Sequence, residues 1–218
     1  MNQKEIKNFA KSLIRQGCST QEIRKIASQQ LNREELERLW SIPRQNIINF
    51  VLECFNNLDL KQPFLDIGCG RRSYRPEAMA KFGNNIVYIS LDHYLPDDKT
   101  NPLRLPNLLA NTAFLPLSSS SVNTIICTEL LEHVENDHRV LEETSRVLKK
   151  EGMLILTLPG KDIPKHEKLL YQIDYRRYNL DGVRDLLESY HLSVLRLERK
   201  TLFDLEINLF AVAQKTLI

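Results

Sequence analysis

The sequence predicts an α/β protein with a seven-stranded, mostly parallel sheet covered by helices on both faces. A C-terminal antiparallel hairpin closes the sheet, and a helical N-terminal extension precedes it. Three observations carry this expectation. From residue 63 onward, short apolar runs alternate with amphipathic segments, the pattern of buried parallel strands joined by crossover helices. Near the C-terminus two apolar runs follow one another with no helix between them, so they must pair antiparallel. Residues 1–60 hold no good strand and a single glycine, Gly17.

In the extension, apolar residues recur at helical spacing: Ile6, Phe9, Ala10, Leu13 and Ile14, then Ile23, Ile26 and Ala27, then Ile47, Ile48, Val51, Leu52 and Phe55. Three helices are expected, the second capped by Ser19 or Thr20 with Glu22 behind it. The break around Gly17 faintly resembles a helix-turn-helix, but the near-neutral charge and missing recognition-helix signature weigh against that reading. Residues 1–60 read better as a cap on a domain of residues 61–218.

The first strand is expected at 63–67, a helix within 75–82, and the second strand at 86–91. A connection follows over 93–110, with a short strand near 108–111. After a serine turn, Ser118 to Ser121, comes a strand at 122–127. A helix over 137–149 presents Val140, Leu141, Thr144, Val147 and Leu148 on one face and is expected to stop at Gly152. Met153 to Leu158 is a buried strand stopped by Pro159. A long connection, 160–178, leads to a helix at 179–190 and the closing strands at 193–200 and 207–214.

The 218 residues allow one substantial domain plus an appendage. A net charge of +2 argues against bulk nucleic acid or an anionic membrane as partner. Cys18, Cys54, Cys69 and Cys127 have no paired spacing, so neither a disulfide framework nor a metal site is expected. Met1 to Glu5 lack the apolar core of a signal peptide and no run is long enough to span a bilayer, which predicts a cytoplasmic location.

The chemistry concentrates at two strand ends. Leu65-Asp66-Ile67-Gly68-Cys69-Gly70 is an apolar strand running into an acid and a glycine-spaced turn, and the next strand ends on Asp92. Glycines allow close backbone approach to a ligand, and a carboxylate at the second tip can take ribose hydroxyls. A nucleoside-carrying cofactor is therefore expected.

These residues resemble class I S-adenosylmethionine-dependent methyltransferases of the type 11-like branch. Ser119 to Val134 is similar to that family's fourth strand and following helix, and Arg146 to Pro159 to its helix leading into the fifth strand. The resemblance covers about residues 62–214 and implies a Rossmann-like fold, S-adenosylmethionine as cofactor and a small-molecule acceptor, with a sugar or cell-surface precursor as one option. It implies that Asp66, Gly68, Cys69 and Gly70 serve the methionine part of the cofactor. Asp92 would serve the ribose, His93, Asn111 and Thr112 the adenine, and Thr128 and Glu129 the methionine end. Arg72 stands where many relatives have a third glycine, as in one branch that also carries a late motif similar to Asp174-Tyr175-Arg176-Arg177-Tyr178. His133 is the candidate general base, with a local packing role as its alternative. Glu132 reads as facing solvent or fixing a neighbouring loop. His166, Tyr175 and Tyr178 are candidates for acceptor contact. Arg176 and Arg177 read either as a solvated charged face or as a pair for an acceptor carboxylate or phosphate. Two other readings stay open: a catalytically silent interaction module, and a nicotinamide-dependent oxidoreductase. The second is disfavoured by Ser73 at the last glycine position and by the C-terminal hairpin.

Overall fold

The computed structural model describes residues 33–96, 101–163, 165, 173–202 and 204–216, with the backbone alone over 33–40. In the N-terminal region it also describes positions 5, 8, 9, 12, 13, 16–18, 22, 25, 26 and 29. Most of the helical expectation for residues 1–32 therefore lies outside the described residues, although Leu13 is buried.

The elements run α1 (Arg33–Asn57), β1 (Phe64–Ile67), α2 (Arg75–Phe82), β2 (Tyr88–Asp92), β3 (Leu108–Leu109), β4 (Val122–Thr128), α3 (Asp137–Val147), β5 (Leu148–Pro159), α4 (Leu180–Glu188), β6 (Leu192–Leu202) and β7 (Leu205–Lys215). They build one seven-stranded sheet in the order β3-β2-β1-β4-β5-β7-β6. Pairs β1–β2, β1–β4, β2–β3 and β4–β5 are parallel. Strand β7 runs antiparallel to both β5 and β6.

Two-residue alternation sorts each strand between two apolar layers. Leu65, Ile67, Ile125, Cys127, Leu154 and Leu156 pack with Val140 and Leu141 of α3 and Val183 and Leu187 of α4. Phe64, Tyr88, Ile126, Ile155, Phe210 and Val212 pack on the other face with Ala78 of α2 and Phe50, Val51, Cys54 and Phe55 of α1. Phe50 stacks on Phe210 with ring centroids 4.5 Å apart, so the last helix of the N-terminal region is part of the sheet's own core. Asn136 and Asn179 start α3 and α4, each accepting a backbone N–H with its side chain.

One boundary differs from expectation. Helix α3 ends at Val147, and β5 begins at Leu148, well before Gly152. The Lys215 ammonium donates to the carbonyls of Ser145 and Leu148 (2.6 and 2.9 Å), which satisfies the helix end without a glycine. Gly152 serves the ladder instead. The register shifts between Val122 and Thr124, and a Cβ on Gly152 would sit 2.8 Å from the Lys149 carbonyl. No helix among the described residues is long and apolar enough to cross a membrane.

Candidate cofactor and acceptor site

Parallel pairing brings the C-terminal tips of β2, β1 and β4 to one edge, where the chain reverses its order of strand addition on either side of β1. Gly68 (φ +68°) and Gly70 (φ +53°) take left-handed backbone in the turn after β1. A Cβ on Gly68 would meet Leu130 at 2.7 Å, whereas one on Gly70 would meet nothing within 4 Å. The turn is thus closed on the β4 side and open above Gly70. The Gly68 and Cys69 N–H groups donate to the Leu91 carbonyl (2.8 and 3.1 Å).

Asp92 organises this turn as well as ending β2. Its Oδ2 accepts the Gly70 N–H (2.8 Å), and its Oδ1 accepts the His93 N–H (2.7 Å) and lies 2.9 Å from His93 Nδ1. His93 is exposed, and its ring meets the half-exposed ring of Tyr94 at 5.0 Å. Behind the turn, buried Asp66 accepts from the Tyr74 N–H and the Tyr88 hydroxyl (both 3.0 Å) through Oδ2. Its Oδ1 has no partner, and burial raises its pKa to about 7 against those two hydrogen bonds. Burial likewise raises the Cys69 thiol. Ser73, at the last glycine position, pairs its buried hydroxyl with that of Ser90 (2.6 Å). Arg72 is exposed. The Asn111 Oδ1 closes a local turn by accepting the Ala113 N–H (2.9 Å), next to buried Thr112.

Beyond β4, Thr128 leads into Glu129, a non-glycine residue at φ +50°. Thr157 of β5 holds Glu129 twice: its carbonyl accepts the Glu129 N–H and its hydroxyl donates to Oε1, both at 3.0 Å. Burial, and then the neighbouring Glu132, push the Glu129 carboxyl well above the usual range. Glu132 does not face solvent. It is buried with Oε2 unpartnered, burial raises its pKa to about 7, and nearby His133 opposes that rise. Its carbonyl accepts the Tyr175 N–H (2.8 Å), so it does fix the neighbouring loop.

That loop is a polar bracket. Asp174, fully buried at its side chain, lies 2.9 Å from His133 Nδ1 and 2.6 Å from Arg177 Nη2. Burial disfavours the charged form of His133, but the Asp174 hydrogen bond and the charges of Glu132 (3.6 Å from Nε2) and Asp174 outweigh it and raise its pKa. Arg177 also donates to the Ile163 and Arg176 carbonyls (both 3.1 Å). Arg176 pairs with Asp137 and donates to the Glu135 carbonyl. Neither arginine is a solvated face or an open anion clamp: Arg176 ties the loop to Glu135 and Asp137, and Arg177 braces the loop internally through Ile163, Asp174 and Arg176. The Tyr178 hydroxyl donates to Asp137 (2.6 Å), while Tyr175 keeps its ring half-exposed. His166 lies outside the described residues.

Sequence reasoning assigned no role to Asp174 or Tyr94. The signal for Asp174 was its place at the head of the late motif Asp174-Tyr175-Arg176-Arg177-Tyr178, which does not say what its carboxylate meets.

Glycine backbone open to a ligand, a carboxylate at the second tip, and two buried carboxylate oxygens without partners fit a cofactor bearing a diol and cationic groups. The fold is that of class I S-adenosylmethionine-dependent methyltransferase domains, a class whose cofactor is S-adenosylmethionine. Residues 65–156 match the family model described as "Methyltransferase domain". A probable S-adenosylmethionine-dependent methyltransferase of Mycobacterium tuberculosis is 25% identical over 126 residues, 56% of this chain and 46% of that protein. The ubiquinone biosynthesis O-methyltransferase of Coxiella burnetii is 26% identical over 138 residues, 60% of this chain and 58% of that protein. The chain thus spans about half the length of the curated relatives it matches. Among solved structures, the 1,6-didemethyltoxoflavin-N1-methyltransferase of Burkholderia thailandensis, bound to 1,6-didemethyltoxoflavin and S-adenosylhomocysteine, shares the fold. Its TM-score is 0.61 at 17% identity, over 84% of this chain and 83% of that one.

Proposed function

We propose that the chain methylates a small-molecule acceptor by in-line displacement with S-adenosylmethionine, residues 1–60 forming a helical extension over a catalytic domain of residues 61–218. The observation that carries this reading is the convergence at one sheet edge of an open glycine turn, a carboxylate bonded to that turn, and buried carboxylates with unpartnered oxygens. When bound, the cofactor supplies an electrophilic methyl carbon on a sulfonium.

Gly68, Cys69 and Gly70 give backbone approach beneath the methionine moiety, and Asp66 holds their turn from behind. Asp92 has lone pairs left for the ribose hydroxyls. His93, Asn111 and Thr112 border the adenine, and Thr128 and Glu129 line the methionine end. Tyr175 and Tyr178 serve the acceptor side, and His166 is a further candidate for acceptor contact. Alignment and exclusion of water are the main work, worth roughly 7–11 kcal/mol of barrier in favourable cases. His133 is the candidate proton acceptor for a hydroxyl or ammonium acceptor. Asp174 at Nδ1 favours the tautomer that leaves Nε2 to take the proton. The surrounding carboxylates make His133 a stronger base and delay its availability to higher pH.

Calorimetry with S-adenosylmethionine and NAD side by side tests the reading. Binding of the first alone is expected, and a protein that binds only NAD, or neither, refutes it.

A further inference from the structure

His133 lies between two carboxylates, and its ring nitrogens meet different surroundings. Nδ1 faces Asp174 at 2.9 Å and the Ile173 carbonyl at 3.3 Å. Both are acceptors, so Nδ1 carries the hydrogen and Nε2 is the basic nitrogen. Nε2 faces Glu132 Oε1 at 3.6 Å, beyond hydrogen-bonding reach. The Glu132 side chain is 2% exposed and its Oε2 has no partner, whereas the His133 side chain is 18% exposed. A ligand therefore meets His133 first, with the Glu132 charge close behind it. The nearby guanidinium groups are committed elsewhere. Arg177 is held by Asp174 and two carbonyls, and Arg176 by Asp137 and the Glu135 carbonyl. Among the described residues, the ion partner of Glu132 is His133.

This pairing restricts what the acceptor can be. While His133 is protonated, Glu132 has its counter-charge, but His133 cannot take a proton. Once His133 is neutral and able to act as a base, Glu132 is a buried carboxylate with no cation beside it, a costly arrangement. A hydroxyl acceptor leaves that charge uncompensated. An acceptor arriving as an ammonium ion brings the missing cation, and the proton to be removed, to the same point. The cofactor's own ammonium is read onto Glu129, at the methionine end. We propose that the acceptor is an amine that binds as its ammonium ion beside His133 Nε2, with Glu132 as the buried counter-charge that selects it. This inference rests on the methyl-transfer reading above. One proton passes from the ammonium to Nε2, and the nitrogen lone pair so freed forms the new N–C bond as the methyl C–S bond breaks. Sulfur keeps the pair of the broken bond. The products are a methylated ammonium and S-adenosylhomocysteine, and the Nε2 proton returns to solvent. Glu132 acts through its charge and forms no bond to the reacting atoms.

The test follows the His133 ring by proton NMR on the full chain with S-adenosylhomocysteine bound, which leaves out the sulfonium charge. Methylammonium chloride is the probe, small enough to reach Nε2 in a pocket of any shape. Sodium chloride at equal ionic strength and methanol are the comparisons. A cation beside Nε2 disfavours the imidazolium, so methylammonium should lower the His133 midpoint by about half a pH unit or more. Sodium and methanol should leave it in place. Glu132→Gln should lower the midpoint without any probe and abolish the methylammonium response, and Glu132→Asp should restore part of that response. A midpoint that does not move, or moves equally with sodium or methanol, overturns the proposal. A full response in Glu132→Gln overturns it too. If S-adenosylmethionine alone lowers the midpoint as far as methylammonium does, the sulfonium is the cation at this point and the amine assignment falls. Those results refute the amine alone, while a chain that binds neither form of the cofactor in calorimetry refutes the methyl-transfer reading and the amine with it.

Discussion

Replacing Asp174 by alanine removes a carboxylate that two cations share. Its side chain is fully buried, those of its partners Arg177 and His133 are 10% and 18% exposed, and the contacts are 2.6 and 2.9 Å. Solvent screening is slight at such burial, and removing one partner of a buried ion pair costs about 3–5 kcal/mol. Arg177 keeps its bonds to the Ile163 and Arg176 carbonyls, which puts the expected loss near the lower end, about 3 kcal/mol. Domains are typically stable by roughly 5–15 kcal/mol, so the variant should remain folded. At this chain length its melting temperature should fall by roughly 6–12 °C.

The loss also has a pH signature. His133 has a folded pKa raised above its ordinary 6.5, so its contribution is fully present below that value and disappears as pH rises through the folded midpoint. The stability gap between wild type and variant should therefore be widest below pH 6.5 and narrow at alkaline pH. Urea unfolding at several pH values measures the gap, and a proton NMR titration of the His133 ring reads the cause. With Asp174 gone, burial weighs more, and the ring's midpoint should move down. An unchanged urea midpoint together with an unmoved His133 titration would refute the account of this bracket.

Two further outcomes follow from the core and from the turn. Phe50→Ala should cost about 3–5 kcal/mol in urea unfolding, because it empties a fully enclosed ring site against Phe210; a loss under about 1 kcal/mol would mean α1 is not part of the core. Asp66 titrates at about 7 in the folded protein against an ordinary 3.8, so its stabilisation is complete below pH 3.8 and lost as pH rises through 7. Asp66→Asn should flatten that segment of the stability–pH curve without cofactor, and an identical slope in the variant would show that Asp66 is not its source.

Strands β1, β2, β4 and β5 were legible because full burial on both faces demands largely apolar runs, which these strands bear around the buried polar residues Asp66, Ser90, Thr124 and Thr157. The antiparallel hairpin was legible by elimination, since no helix separates its strands. Boundaries were less so. Helix α3 stops at Val147 because a lysine 68 positions later, Lys215, takes its last carbonyls, and no local signal announces a partner at that distance. Gly68 and Gly70 could be read as turn glycines from spacing alone. That the space over Gly70 is open while Leu130 closes the space at Gly68 depends on β4 lying beside β1.

By itself, the order of apolar runs and glycines determined the architecture, the edge at which a nucleoside ligand would bind, and the residues at the three strand tips. These are local matters of periodicity and backbone freedom, written in consecutive residues. Only the tertiary structure decided how the charges are spent. It turned Arg176 and Arg177 from an apparent anion clamp into internal braces, buried Glu132, and set Asp174 against His133. Charge pairing depends on distance and burial between residues far apart in sequence, and a carboxylate's partner exists only once the chain has folded around it.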